Sequence, residues 1–110
     1  MTHVVLVLTT VPIGELGDRI AATLVEERLA ACVNLLPPMI SVYRWDGTLQ
    51  RETERQVVIK TTENRLPEIR ERLAALHSYD LPEFLVLPVL AGSEKYLAWV
   101  TAEAGGPEAS

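Results

Sequence analysis

Apolar residues along this chain gather into five short runs that barely alternate with polar ones. They are His3–Leu8, Cys32–Leu36, Met39–Tyr43, Val57–Ile59 and Phe84–Leu90. A strand with one wet face alternates apolar and polar side chains, whereas a strand buried on both faces reads as a near-continuous apolar run. The runs therefore predict a sheet covered on both sides. Two amphipathic helices lie between them. Pro12 suits the opening turn of the first, because its missing N–H is not needed there. Leu16, Ile20, Leu24 and Ala21, Val25, Leu29 then fall on one stripe, with Asp18, Arg19, Glu26, Glu27 and Arg28 facing outward. That spacing predicts a helix to about Ala31. Asn64 reads as the N-cap of the second helix. Pro67 sits in its first turn, and Leu66, Ile69, Leu73 and Leu76 form its stripe. Two helices can cover only one face of such a sheet, and the simplest cover for the other is another copy of the chain.

The punctuation between runs orders them. Pro37-Pro38 cannot donate to a ladder and marks a bulge or edge kink. Asp46-Gly47 is a strong signal for a two-residue hairpin turn with positive φ. The return strand from Thr48 starts polar and turns apolar only at Val57, so the hairpin is expected to project past the sheet as an arm. Pro88 implies an edge position or a bulge in the last strand. Ser93 can cap a short third helix over Glu94 to about Glu103, stopped by Gly105. The order β-α-β-β-α-β with a terminal helix is a ferredoxin-like α+β arrangement with an antiparallel sheet. One domain over residues 1–104 is expected, and the polar, glycine-containing stretch 105–110 reads as a disordered tail.

Charge and composition narrow the functional classes. A net charge of −5 argues against nucleic acid, which wants a basic stripe. No run is long enough to span a membrane, and the start has no signal-peptide pattern, so the cytoplasm is the expected compartment. The one cysteine, Cys32, excludes an internal disulfide framework. Glycine-rich phosphate loops and nucleophile elbows are absent; Gly14 and Gly17 match no fingerprint. Cys32 reads first as a small buried strand residue, and His77 as the cation that closes a helix C-terminus. Yet Lys60, His77, Tyr79 and Glu83 all fall at element ends, where loops gather into sites. Tyr43 and Trp45 stand on the hairpin, where aromatic residues suit interfaces. Glu52 and Glu54 share one face of the arm, a spacing that solvated surface also shows.

Several segments in order carry a resemblance. Leu29-Ala30-Ala31-Cys32-Val33-Asn34, Ser41-Val42-Tyr43-Arg44-Trp45-Asp46-Gly47, Ile59-Lys60-Thr61-Thr62, His77-Ser78-Tyr79-Asp80-Leu81-Pro82-Glu83, Leu87-Pro88-Val89 and Tyr96-Leu97-Ala98-Trp99 resemble the CutA divalent-cation tolerance proteins, from Val4 to about Ala102. The resemblance implies a homotrimer like that of PII signalling proteins, with sheets facing a common core and arms pairing across subunits. It implies a role in tolerance of copper or another divalent cation, with no enzymatic activity. It also implies an inter-subunit cleft at Cys32, Tyr43, Trp45, Lys60, His77, Tyr79 and Glu83, with His77 as the metal ligand. The chain departs from the family in having Thr9 and Leu76 where some members have a cysteine and a second histidine. Ser78 and Pro38 likewise replace a more usual proline and glycine. One imidazole among oxygen ligands makes a poor copper site. The leading expectation is a non-catalytic, heat-resistant trimer in metal-ion response. The alternative is a PII-like sensor of a small anionic metabolite, with Lys60 and His77 supplying charge and Trp45 or Tyr43 a stacking surface. An interaction scaffold is a third reading, and a Cys32–His77 thiol enzyme the least supported.

Overall fold

A computed structural model describes residues 3–105. The strands are β1 (Val4–Pro12), β2 (Cys32–Leu35), β3 (Met39–Trp45), β4 (Thr48–Thr62) and β5 (Leu85–Pro88). The helices are α1 (Leu16–Glu26), α2 (Leu66–Leu76) and α3 (Glu94–Gly105), and a 3-10 turn, Glu63–Arg65, leads into α2. The sheet is antiparallel with order β2-β4-β1-β5, and β3 pairs with the first half of β4. β2 and β3 thus lie end to end along one edge of β4, separated by the Pro37-Pro38 break. This is the ferredoxin-like α+β arrangement with a C-terminal helix. β5 is an edge strand, and Pro88 is its last residue, both positions that a proline fits.

β4 runs for 15 residues, and its first part pairs with β3 through the Asp46-Gly47 turn, both residues at positive φ (55° and 78°). The hairpin extends past the helices as an arm, which gives the molecule its long dimension of 47 Å against 26 and 22 Å. Ile40, Val42 and Leu49 stand exposed on one side of the arm with Arg44 and Arg51.

Side chains alternate faces along a strand. The odd positions of β1 and β4 (Val7, Val11, Val57 and Ile59) meet Ile20 and Leu24 of α1 and Ile69 and Leu73 of α2 in the main core. α1 lies close to the sheet because Gly17 is small: a Cβ there would sit 3.0 Å from Val11 Cγ2 and 3.2 Å from Leu35 Cδ2. The even positions form the face away from α1 and α2. Leu6, Leu8 and Val58 are half-buried at its centre, and Leu85 and Leu87 of β5 continue it at 53% and 43% exposure, beside Leu90 at 96%.

Some expectations are corrected. β1 continues through Pro12, which pairs with Glu54, so Pro12 closes a strand and does not open a helix. α1 begins at Leu16 after Gly14 at φ 125°. It ends at Glu26, not near Ala31, because Arg28 turns left-handed (φ 59°) and the Leu29 and Ala30 amides both donate to Leu24 O. Leu29 keeps its helical spacing of four from Val25 but reaches the core from the connection. Asn64 is not the N-cap of α2: it lies inside the 3-10 turn, and the Thr62 hydroxyl donates to its Oδ1 at 2.6 Å. The last strand keeps only Leu85–Pro88 of the longer apolar run.

The far face is not left wholly to outside cover either. α3 lies over one end of it, where Val100 and Ala104 pack with Ala31 and Val4. Gly105, read as the start of the tail, is the buried last residue of α3, and its carbonyl accepts from Arg65. The remainder of the expected tail, 106–110, lies outside the described residues.

Candidate functional site

The long alternation of β4 builds a site at the base of the arm. Gln50, Glu52, Glu54 and Gln56 share the face away from the helices, and their partners on β3, from Met39 to Tyr43, share it too. The loop of residues 77–84 crosses beside them. Between loop and arm is a cleft of about 960 Å³, lined among others by Met39, Tyr43, Trp45, Glu52, Glu54, Tyr79, Asp80, Glu83 and Phe84.

Three contacts tie loop to sheet. The Tyr79 hydroxyl donates to Glu54 Oε1 at 2.9 Å. Gln56 Nε2 donates to Glu83 Oε2 at 2.8 Å and to the Thr9 carbonyl at 2.6 Å. His77 makes the third. The Tyr79 amide donates to its Nδ1 at 3.1 Å, so Nδ1 carries no hydrogen; Nε2 carries it and donates to the Thr10 carbonyl at 2.7 Å. The His77 and Tyr79 rings lie 4.7 Å apart, tilted by 44°.

The candidate residues therefore separate. Tyr43, Trp45, Tyr79 and Glu83 line the cleft, and His77 stands behind Tyr79 as its support. Cys32 and Lys60 lie elsewhere. They are cross-strand partners on β2 and β4, and Lys60 sits six positions beyond Glu54, about 20 Å along the strand. There the Lys60 ammonium lies 5.8 Å from the centre of the Tyr96 ring on α3. Both His77 nitrogens are already engaged, so a metal ion at this imidazole would have to displace the Tyr79 amide or the Thr10 carbonyl. Among the described residues no three or more His, Cys, Asp or Glu side chains come together in a way that could hold a metal ion.

The residues that sequence reasoning passed over are Gln56, Asp80 and Phe84, and it gave Glu54 no more than a surface role. Glu54 is in fact 8% exposed and bonded to Tyr79. A signal was there: Gln50, Glu52, Glu54 and Gln56 alternate strictly, so a buried Glu54 face implies that all four look the same way.

Burial first, then the hydrogen bond and charge of Glu54 and the charge of Glu52, push the Tyr79 hydroxyl well above its ordinary value. On exposed Tyr43, the hydrogen bond to Glu52 is the main cause of an upward shift. Because the folded-state value of Tyr79 is raised, the unfolded chain loses that proton first. The contribution is therefore complete below about pH 10 and falls as pH climbs further. Urea midpoints at about pH 9 and about pH 11 should show a loss of stability that is smaller in Tyr79→Phe. Equal losses in both proteins would remove Tyr79 as the cause.

Comparison with known proteins places this geometry. Residues 5–103 match the family described as CutA1 divalent ion tolerance protein. The divalent-cation tolerance protein CutA of Thermus thermophilus is 46% identical over 99 residues, covering 90% of this chain and 96% of that protein. The chloroplastic CutA protein of Arabidopsis thaliana is 44% identical over 87% of this chain, which spans 53% of that protein's length. Among solved structures, CutA1 from Oryza sativa superposes with a TM-score of 0.88 at 42% identity, covering 92% of this chain and 93% of its own. The periplasmic divalent cation tolerance protein CutA from Archaeoglobus fulgidus does so with a TM-score of 0.88 at 33% identity, covering 92% and 98%. With the family matched over nearly its whole length and the fold shared, this chain belongs to the CutA1 divalent ion tolerance family.

Proposed function

We propose that the chain serves divalent-cation tolerance, copper included, as a non-catalytic homotrimer that attracts cations weakly and does not hold one in a dedicated site. The observation that carries this reading is the cleft at the arm. Glu52, Glu54, Asp80 and Glu83 place four carboxylates along it, and no lysine or arginine lines it. Such a concave negative surface raises the local concentration of cations. The assembly is supported by the half-buried leucines of the far face, the exposed Leu85, Leu87 and Leu90, and the uncovered Ile40, Val42 and Leu49 of the arm. Nothing in the cleft resembles a catalytic set: Cys32 and His77 lie apart along the sheet, and both His77 nitrogens are engaged.

The anionic-metabolite reading is weaker on the same geometry, since Lys60 is remote and the cleft charge has the wrong sign. Among the described residues no helix is long and apolar enough to cross a membrane. We place the protein in the cytoplasm, a reading supported by its free cysteine.

Calorimetric titration with copper and zinc should give weak, salt-sensitive heats with dissociation constants of about 10⁻⁴ M or weaker, because the attraction is a screened field. Glu52→Gln with Glu54→Gln should remove most of the signal. Tight binding that survives both substitutions would show a ligand set elsewhere, and no heat at all would remove direct cation attraction.

A further inference from the structure

The cleft beside the arm is long. Its lining runs along β4 from Gln56 to Gln50 and along β3 from Met39 to Trp45. The β4 stretch alone covers about 20 Å, so the cleft is an extended trough. Its base lacks a positive charge. Glu54 is 8% exposed; the Tyr79 hydroxyl satisfies Oε1, and Oε2 has no hydrogen-bond partner among the described residues. Among those residues no lysine, arginine or histidine forms an ion pair with Glu52, Glu54, Asp80 or Glu83. A carboxylate withdrawn from water without a counter-charge is costly, and a bound cation removes that cost. Toward the tip of the arm the same face presents Tyr43 and Trp45. Neither ring touches another ring or a cationic side chain among the described residues. Uncommitted ring faces attract cations and cover apolar chain.

These features discriminate among cations. A divalent metal ion wants several oxygens converging at about 2.0–2.6 Å, and the carboxylates here do not converge in that way. They are strung out instead: Glu52 and Glu54 stand on one face of β4 about 7 Å apart. That is about the span of a short extended methylene chain. The volume of about 960 Å³ is far larger than an ion and belongs to the range that encloses an organic ligand. We propose that the trough binds a linear aliphatic polyamine in its protonated form, with ammonium groups on Glu54 and Glu52 and the methylene chain running along Tyr43 and Trp45. The strand pairing supports this order, because Glu54 lies opposite Met39 at the base while Tyr43 and Trp45 follow toward the turn. The proposal rests on the cation-attracting cleft put forward above and goes beyond it in naming an organic cation.

The test is calorimetric titration of the intact protein with spermidine and, separately, with hexamminecobalt(III). The cobalt complex is a compact ion of the same charge that also offers N–H donors but has no carbon chain. At about 0.15 M salt, where a purely exposed field is screened, spermidine should bind at least about tenfold more tightly than the complex. Glu54→Gln keeps an acceptor for Tyr79 and removes the charge, and should weaken spermidine binding by about tenfold. Tyr43→Leu keeps the apolar bulk and removes the ring face, and should weaken it by about threefold to fivefold. Spermidine binding no tighter than that of the cobalt complex would overturn the proposal and leave the cation-attracting cleft standing. Binding of neither ion would overturn both. A spermidine affinity unchanged in both variants would put the ligand elsewhere on the protein and overturn the proposal as well. The two-ion comparison on the unsubstituted protein decides the matter even if neither variant folds.

Discussion

Leu87→Glu is expected to break the proposed trimer, leaving single chains or unfolded protein. Leu87 pairs with Leu6 across β5 and β1, on the face that α1 and α2 do not cover. It is 43% exposed in the single chain, with Leu85 beside it on the same face. β5 is an edge strand whose outer flank offers free backbone groups, the usual template for another strand. If sister chains seal this face, a glutamate at its centre is buried without a partner. Each buried unpaired charge costs several kcal/mol, and a closed ring repeats that cost at every interface. Val25→Glu is the matched control: Val25 is also exposed and apolar, but it lies on α1 at the opposite side of the sheet. Sedimentation equilibrium over a wide concentration range separates the outcomes. A Leu87→Glu protein that sediments like the parent would sink the reading. A folded, unsubstituted monomer persisting at nanomolar concentration would do the same.

The sheet order and the arm follow from features that act locally. Asp46-Gly47 determines the hairpin, the polar-to-apolar change at Val57 marks where β4 enters the body, and Pro88 confines β5 to an edge. The misread boundaries have a common cause. Leu29 satisfies the helical period without being in a helix, since a left-handed Arg28 redirects the chain while leaving the side chain on the core. Asn64 looks like a cap because its type prefers caps, but Thr62 already stands at the end of β4 and a 3-10 turn intervenes. The candidate site was half legible. Glu52 and Glu54 could be placed on one face by spacing alone. That Tyr79 would reach Glu54 and Glu83 would reach Gln56 depends on contacts 25 and 27 residues apart, which no local pattern encodes. The family resemblance groups Cys32 and Lys60 with an inter-subunit cleft, and of the two only Lys60 is also placed there by its position at an element end. The β2–β4 register puts them at the other end of the same face.

Ile59→Ala should destabilise the protein by about 2–5 kcal/mol, a large share of the roughly 5–15 kcal/mol that holds a domain together. Ile59 is fully buried in the C-terminal part of β4, paired with Val7 on one side and Val33 on the other, beneath α1 and α2. Truncation removes apolar contact and leaves a cavity that four elements, β1, β2, α1 and α2, would have to close. Two of them are fixed by ladder hydrogen bonds, and α1 already lies against the sheet at Gly17, so little collapse is available. Leu49→Ala on the arm removes a side chain of the same size from a site 70% exposed, and in a single chain should cost under about 0.5 kcal/mol. The comparison divides stability between the chain and its assembly. Urea unfolding must be run at several fixed protein concentrations, because the proposed association with sister chains would add a concentration-dependent term. If Ile59→Ala falls short of about 1 kcal/mol while Leu49→Ala exceeds it, the fold is held chiefly from outside. If the order is as predicted and the Ile59 loss is independent of concentration, the helix-covered core folds the chain and the far face serves to join it to others.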